Sequence, residues 1–118
     1  MAPVLVTANY KLSLDALRSV LSGLDAWILV LDTNGVNVWC AAGKGTFATD
    51  ELAHRLTTTR LDQVVGHRRL VLPQLGASGV AGHAIRRRTG FRVIWGPVRA
   101  SDLVAFLKNP LNPSPAMR

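Results

Sequence analysis

Apolar residues along the chain form four short runs of strand length. Between these runs the chain is mainly polar, or its apolar residues recur at the spacing of a helix. Runs of four to eight residues rich in Val, Ile and aromatic side chains predict β-strands. The four are PVLVTANY at 3–10, AWILVLD at 26–32, RRLVLPQ at 68–74 and FRVIWGP at 91–97. The run at 26–32 is continuously apolar, which is typical of a strand covered on both faces.

Apolar residues at helical spacing predict helices between these runs. The residues assigned to the first helix are the N-cap Ser13, the apolar positions Leu14, Leu17, Leu21 and Leu24, and Gly23 at its end. The residues assigned to the second are the N-cap Thr46, the acidic Asp50 and Glu51, and the apolar Phe47, Leu52 and Leu56. Two further helices are predicted within 75–90, after a glycine-rich loop, and within 101–109.

The segment VNVWCAA at 36–42 follows the turn sequence TNG and is short and apolar. Its residues are compatible with a strand paired across that turn and with an extended loop. The pattern of the chain leaves both possibilities open.

Strands that alternate with helices imply right-handed crossovers between parallel strands. The sequence therefore predicts an α/β fold, a three-layer Rossmann-like domain with a mostly parallel sheet and flanking helices. Ligands of such folds bind at the carboxyl ends of the strands. The loops expected at that edge are TANYKLS at 7–13, NVWCAAGKGT at 37–46, PQLGASG at 73–79 and GPVRAS at 96–101.

Composition narrows the classes of protein to which the chain can belong. Its 118 residues suit one domain, predicted over 1–108, followed by a proline-rich tail or linker at 109–118. A single cysteine excludes a disulfide framework inside the chain and suits a reducing compartment. No apolar run approaches the length of a membrane-spanning helix. The net charge of +7 permits an anionic partner without selecting nucleic acid, lipid or cofactor.

Several interpretations compete for the cysteine, Cys40. A nucleotide phosphate loop is excluded, because its first glycine would fall on Val38 and because Gly45 follows Lys44 where Ser or Thr is required. A cysteine phosphatase loop is disfavoured, since Thr46 replaces the arginine that clamps a phosphoryl group. A zinc site is disfavoured, since the three histidines are scattered along the chain. A Cys–His hydrolase and a small buried cysteine remain open.

The octapeptide NVWCAAGK at 37–44 resembles the motif of the mercury-methylating corrinoid proteins, the HgcA family. Further segments resemble the cobalamin-binding domain of that family: VTANY at 6–10, GKGTFATDEL at 43–52, LVLPQLGASGV at 70–80 and GFRVIWGPVRASDL at 90–103. The resemblance covers about 3–107. The domain is also similar to the corrinoid-binding domain of the corrinoid iron–sulfur protein of the acetyl-CoA pathway.

The resemblance implies a bound cobalamin in its base-off form. Cys40 would be the lower axial ligand of cobalt, which makes it the implied catalytic residue and metal ligand. The motif would begin a helix that caps the lower face of the corrin, with small residues at 41–43 admitting the macrocycle and with Asn37 and Trp39 shaping the loop. The implied cofactor-binding residues are Thr7, Asn37, Val38, Trp39, Cys40, Ala41, Ala42, Gly43, Lys44, Gly45, Thr46, Pro73, Gln74, Leu75, Gly76, Gly96, Pro97, Val98 and Arg99.

The resemblance also implies a reaction. The chain would be a corrinoid-dependent methyltransferase that carries a methyl group on cobalt and transfers it to Hg(II), forming methylmercury. A thiolate disfavours Co(I) and stabilises Co(III), so Cys40 suits transfer of a methyl carbanion to an electrophilic metal ion. The alternative is a corrinoid methyl carrier of one-carbon metabolism in the acetyl-CoA pathway, which hands its methyl group to another enzyme.

Partners follow from the same resemblance. A ferredoxin-like iron–sulfur protein of the HgcB type would supply electrons, and a methyl donor protein or methyltetrahydrofolate would reload the cobalt. The membrane domain of the family is missing from these residues, and we expect this soluble domain at the cytoplasmic face of the cell membrane. Nucleic acid is not expected, since too few aromatic residues are interleaved with the basic ones. The basic runs at 67–69 and 86–88 are expected to be exposed, the second as a solvated helix end.

Overall fold

One four-stranded parallel sheet, with strand order β2-β1-β3-β4, organises the fold. The structure is a computed structural model that describes residues 2–21, 25–97 and 102–108. The strands are β1 (Val4–Ala8), β2 (Trp27–Leu31), β3 (Arg69–Leu72) and β4 (Arg92–Trp95). The prediction of an α/β domain with a parallel sheet and flanking helices is confirmed.

The helices connect the strands in the predicted alternation. They are α1 (Lys11–Val20), α2 (Val38–Lys44), α3 (Thr49–Thr59), α4 (Leu61–Val64), α5 (Gly82–Thr89) and α6 (Leu103–Lys108), with a 3₁₀ turn at Gln74–Gly76. Within the described part of the chain, no helix has the length and apolar character needed to cross a membrane.

Separate apolar cores cover the two faces of the sheet, which gives the fold three layers. Alternate residues of β1 point to opposite faces, so Val4 and Val6 join the core beneath α2, α3 and α5, whereas Leu5 joins the core that includes α6. Phe47 anchors the first core and Phe106 the second, and both are completely enclosed. Burying a side chain of this size stabilises a fold by roughly 1.5–3 kcal/mol.

The edge strand β2 is less covered than its apolar sequence predicts. Leu29 and Leu31 join one core and Ile28 packs against the other, so the strand does contribute to both faces. Trp27, however, is 48% exposed at the open edge of the sheet. β2 therefore packs on both faces, as predicted, but less completely than β1, all five residues of which are buried.

The first helix begins earlier than predicted. It starts at Lys11, and Tyr10 occupies the N-cap position without a side-chain hydrogen bond, so Ser13 lies inside the helix and is not its cap. Gly23 and Leu24, predicted at the end of this helix, lie outside the described residues, as does the predicted tail at 109–118.

The second predicted helix begins later than Thr46. Residues 38–44 form a helix of their own, α2, instead of a strand or an extended loop. Thr46 is used to close that helix, and α3 begins at Thr49 with Ala48 at its N-cap.

Candidate functional site

A cavity of about 260 Å³ lies at the carboxyl ends of the strands. Its mainly apolar lining comes from β1, β3, α1, the start of α2 and the loops that follow β3 and β4. The implied cofactor-binding residues in this lining are Thr7, Asn37, Val38, Trp39, Pro73, Leu75, Gly96 and Pro97. The fold thus brings together residues of strand β1 and of three separate loops at the edge where parallel sheets bind ligands.

Cys40 lies in the first turn of α2, next to this cavity but not in its lining. Asn37 caps the helix, and its Oδ1 accepts a hydrogen bond from the backbone N–H of Cys40 at 2.9 Å. A capping side chain satisfies an amide that the first turn leaves without a partner, typically for about 1 kcal/mol. The cap therefore fixes the backbone that carries the thiol.

The two sides of α2 have different surroundings. Ala41 and Ala42 are buried against the core, whereas Cys40 is partly exposed and Gly43 and Lys44 are exposed. A Cβ added at Gly43 would meet no atom within 4 Å. The two alanines are therefore small because they pack inward, not because they face a ligand, and among residues 41–43 only Gly43 leaves outward space.

The end of α2 is closed by a left-handed residue and backbone hydrogen bonds. Gly45 has φ of 84°, a conformation that suits glycine at the end of a helix. The N–H groups of Thr46 and Phe47 both donate to the carbonyl oxygen of Ala41, at 2.9 and 3.2 Å. These bonds turn the chain away from α2 and bury the Phe47 ring beneath it.

The loop after β3 supports α2 through two glycines. A Cβ at Gly76 would lie 2.7 Å from a ring carbon of Phe47, and one at Gly79 would lie 3.1 Å from the Cα of Ala42. Both positions therefore need glycine for close packing. Gly76 is buried, and close packing against Phe47 is a sufficient reason for a glycine at this position. The neighbouring Leu75 is 44% exposed, and Gln74 is half-buried.

A polar clamp that sequence reasoning missed joins β1 to the loop before α2. The Asn9 Oδ1 accepts hydrogen bonds from the N–H of Thr33 at 2.9 Å and of Gly35 at 3.0 Å. Its Nδ2 donates to Asp32 at 3.1 Å, and the completely buried Thr33 hydroxyl donates to the carbonyl oxygen of Val36 at 2.6 Å. The only sequence signal is the turn sequence DTNG, because the partners are more than twenty residues apart.

Glu51 and Arg55, two charged residues of α3, add further polar contacts to this clamp. Glu51 accepts hydrogen bonds from the backbone N–H of Asp32 and from Arg55, both at 2.8 Å. Hydrogen bonds from the Asn34 N–H and then from the Asn9 side chain lower the pKa of Asp32, with a smaller contribution from the charge of Arg55. The Glu51 carboxylate raises the pKa of Arg55. Asp32 is therefore ionised at neutral pH and holds the loop in that form.

Of three further implied site residues, Lys44, Val98 and Arg99, Lys44 does not line the cavity. Val98 and Arg99 lie outside the described residues, and the Lys44 side chain is exposed. In the described ranges, no group of three or more His, Cys, Asp and Glu side chains is arranged to hold a metal ion.

The surface around Cys40 fits a large, partly apolar group that brings its own metal. Trp39 is 68% exposed and stands at the cavity, with the exposed Leu75 also in its lining. Gly43 leaves open space on the face of α2 that also bears the thiol. A corrin ring carries its own nitrogen ligands for the metal, and these residues would offer it an apolar surface and a sulfur donor.

Comparison with known proteins gives one family and a set of related chains. The model of the family described as CO dehydrogenase/acetyl-CoA synthase delta subunit matches residues 1–107. The gamma subunit of the acetyl-CoA decarbonylase/synthase complex of Archaeoglobus fulgidus is 32% identical over 108 residues, which are 90% of this chain and 23% of the relative. The corrinoid/iron-sulfur protein large subunit of Moorella thermoacetica is 31% identical over 109 residues, 91% of this chain and 24% of the relative.

A third relative shows the same coverage. The gamma subunit from Methanopyrus kandleri is 31% identical over 109 residues, 91% of this chain and 23% of the relative. The chain thus spans about a quarter of the length of the curated relatives that it matches.

Proposed function

Because the chain belongs to the family of CO dehydrogenase/acetyl-CoA synthase delta subunits, we propose that it is a corrinoid-binding domain that takes part in methyl transfer. The observation that carries the proposal is the position of α2, which presents a partly exposed thiol and an open Gly43 beside an apolar cavity at the carboxyl edge of the sheet. The name of the Moorella relative, a corrinoid/iron-sulfur protein, supports the same cofactor.

The residues of the chain would bind the cofactor and hold it in one orientation. Trp39 and Leu75 would cover its apolar rim, and Gly43 would admit its flat face close to the helix backbone. Asn37 would hold the first turn of α2 in place, so that the Cys40 sulfur has a fixed direction toward the metal. The bound corrinoid would supply a cobalt centre that accepts a methyl group from one partner and gives it to another.

Two methyl acceptors are proposed, and different observations favour them. The relatives are subunits of acetyl-CoA decarbonylase/synthase complexes, which favours a methyl carrier that serves acetyl-CoA synthesis or cleavage. Hg(II) is the second candidate, because the octapeptide at 37–44 resembles the mercury-methylating motif and because its thiol suits transfer to an electrophilic metal ion. The comparisons support the first acceptor better than the second.

Partners and location follow the choice of acceptor. A methyl carrier of the acetyl-CoA pathway would assemble with other subunits of such a complex. A mercury methyltransferase would need a ferredoxin-like electron donor, a methyl source and the membrane domain of that family. We propose protein partners in either case.

The proposal is tested by the visible spectrum of the purified chain after reconstitution with cobalamin, for wild type beside Cys40→Ala. We expect both proteins to retain cobalamin in the base-off form, with a sulfur-to-cobalt band only in the wild type. Retention by neither protein would remove the corrinoid proposal, and identical spectra would remove the role of Cys40 as ligand.

A second assay separates the acceptors. The reconstituted chain, supplied with methyl groups and reductant, is offered Hg(II) in one reaction and an acetyl-CoA synthase with CO and coenzyme A in another. Acetyl-CoA without methylmercury supports the methyl carrier. Methylmercury that is lost in Cys40→Ala supports the mercury methyltransferase.

A further inference from the structure

The edge of the sheet opposite the proposed corrinoid site carries at least seven of the fourteen lysine and arginine residues of the chain. The helices α1, α3 and α5 run back from the carboxyl edge, so each ends at the amino edge, where β3 and β4 also begin. We call this surface the arginine edge. Its arginines are Arg18, Arg60, Arg68, Arg69, Arg86, Arg87 and Arg92.

Within residues 2–21, 25–97 and 102–108, none of these seven arginines forms an ion pair. The ion pairs among the described residues join Lys11 to Asp15, Arg55 to Glu51 and Arg88 to Asp50. Arg88 also stands in the last turn of α5, but it is paired with Asp50, and the seven arginines named above take part in none of these pairs. All seven are exposed. In the described ranges the acidic residues at this edge are Asp25, just before β2, and Asp62 on α4.

Helix dipoles account for part of this charge but not for the strand residues. Arg18, Arg60 and the arginines of α5 stand in or just after the last turns of helices, where cations are favoured. Arg69 and Arg92 are different, because they are register partners on the adjacent parallel strands β3 and β4 and point to the same face. Like charges directly opposite each other destabilise a sheet.

We propose that the arginine edge is a docking surface for an acidic surface of a partner protein. The carboxylates of that partner would bridge Arg69 and Arg92 and turn their repulsion into attraction, since a guanidinium binds a carboxylate through two parallel hydrogen bonds. This inference rests on the proposed function, in which the domain works with protein partners. Docking by the amino edge leaves Cys40 and the carboxyl edge free.

The composition of the edge favours a protein over other anions. Arginines supply seven of the cations at this edge, beside Lys108 at the end of α6, and Trp27 and Val64 stand exposed there, 48% and 49% respectively. Tryptophan and arginine are enriched in protein interfaces and dominate their binding energy, whereas lysine is depleted. A single tryptophan offers little for the stacked bases of single-stranded nucleic acid.

The test measures binding of three probes to the whole chain at physiological salt. The probes are a decaglutamate peptide, vesicles that contain phosphatidylserine, and a duplex DNA oligonucleotide. Amide NMR spectra of the protein locate each contact. The variants are Arg92→Glu and Arg69→Glu, with Lys11→Glu as the matched control, because Lys11 lies at the carboxyl edge and its substitution changes the net charge equally.

We expect the peptide to shift the amides of the arginine edge, and either arginine variant to weaken its binding at least fivefold, while Lys11→Glu weakens it less than twofold. The unfolding midpoint of Arg92→Glu should equal or exceed that of wild type, because a like-charge pair becomes an opposite-charge pair. Misfolding therefore does not explain lost binding.

Three outcomes would overturn the proposal: equal weakening by all three variants, tighter binding of vesicles or DNA than of the peptide at the same surface, or no binding at all. Cobalamin retention is measured on the same samples. Retained cobalamin without peptide binding refutes the docking surface alone, and lost cobalamin in the wild type refutes the proposed function.

Discussion

The Asn9 side chain holds the loop before α2, and its removal is the sharpest test of how this site is built. In Asn9→Ala the backbone N–H groups of Thr33 and Gly35 lose their acceptor. Thr33 is completely buried, so its amide is left without water at a cost of about 1–3 kcal/mol. Gly35 is exposed and can turn to water, which limits its loss to about 0.5–1.5 kcal/mol.

The two losses together lower the free energy of unfolding by about 1.5–4.5 kcal/mol. In a domain of this size, each kcal/mol moves the melting temperature by about 4 °C. The melting temperature, measured by circular dichroism, should therefore fall by about 6–18 °C. The loop leads directly into Asn37 and α2. We therefore also expect the Cys40 thiol of the folded variant to react several-fold faster with a disulfide reagent.

Thr58→Ala is the matched control. The Thr58 hydroxyl donates only to carbonyl oxygens of its own helix at an exposed position, so its loss should change stability by less than about 0.5 kcal/mol. The reasoning is refuted if Asn9→Ala melts within 2 °C of wild type, or if its thiol reacts at the wild-type rate while its stability falls. The second result would mean that the clamp stabilises the fold without positioning α2.

The remaining predictions concern the glycines of the site and the charge of the clamp. Gly43→Ala should raise the unfolding free energy by about 0.5–1 kcal/mol, because an exposed helical position prefers alanine, yet it should weaken cobalamin retention because the methyl group fills the open face of α2. Gly79→Ala should lower the melting temperature, since its Cβ would press on Ala42 and on the backbone, and a variant as stable as wild type would contradict this packing. The lowered pKa of Asp32 means that its contribution to stability is present above the ordinary carboxyl pKa of 3.8 and is lost as the pH falls through the lower folded pKa. When the unfolding midpoint is measured against pH, its decrease at acidic pH should therefore be smaller in Asp32→Asn than in wild type.

The parts of the fold that sequence predicts well depend on long-range regularities. The strand runs are short and apolar, and their alternation with helices requires right-handed crossovers, so the parallel sheet and its carboxyl edge follow directly. This is why residues as distant in sequence as Thr7, Asn37, Pro73 and Gly96 are predicted at one edge of the sheet from the sequence alone.

Helix α2 was harder to predict from the residues alone, because seven residues give too few turns for a periodic pattern. Its stability comes from contacts that a local window does not contain, chiefly Ala42 against Gly79 and the Phe47 ring beneath. Two local signals do bracket it. Asn37 is a preferred N-cap residue and Gly45 a preferred residue after a helix end, and together they mark 38–44 as helical.

The polar clamp of Asn9 and Thr33 is even harder to predict from the sequence, because these residues meet only after β1 and β2 have paired. A polar residue at the end of a strand is common, and nothing near Asn9 in the sequence indicates that its amide will accept two backbone bonds. Such residues become visible only when the register of the strands is known. The side chains that hold the loop before α2, Asn9 and Thr33, therefore lie outside the octapeptide at 37–44, whereas Asn37 inside it caps the helix.

The two edges of the sheet have opposite chemistry for one topological reason. Every crossover begins at the carboxyl edge, where tight turns need small residues and leave an apolar cavity, and ends at the amino edge, where helix C-termini favour cations. A domain that presents one edge of its sheet to successive partners needs a docking surface for a partner protein on another edge. Arg69 and Arg92, which are register partners, lie at the amino edge, so a partner docked on them leaves Cys40 accessible. Binding of an acidic partner also gives a reason for this like-charge pair, which does not stabilise the domain by itself.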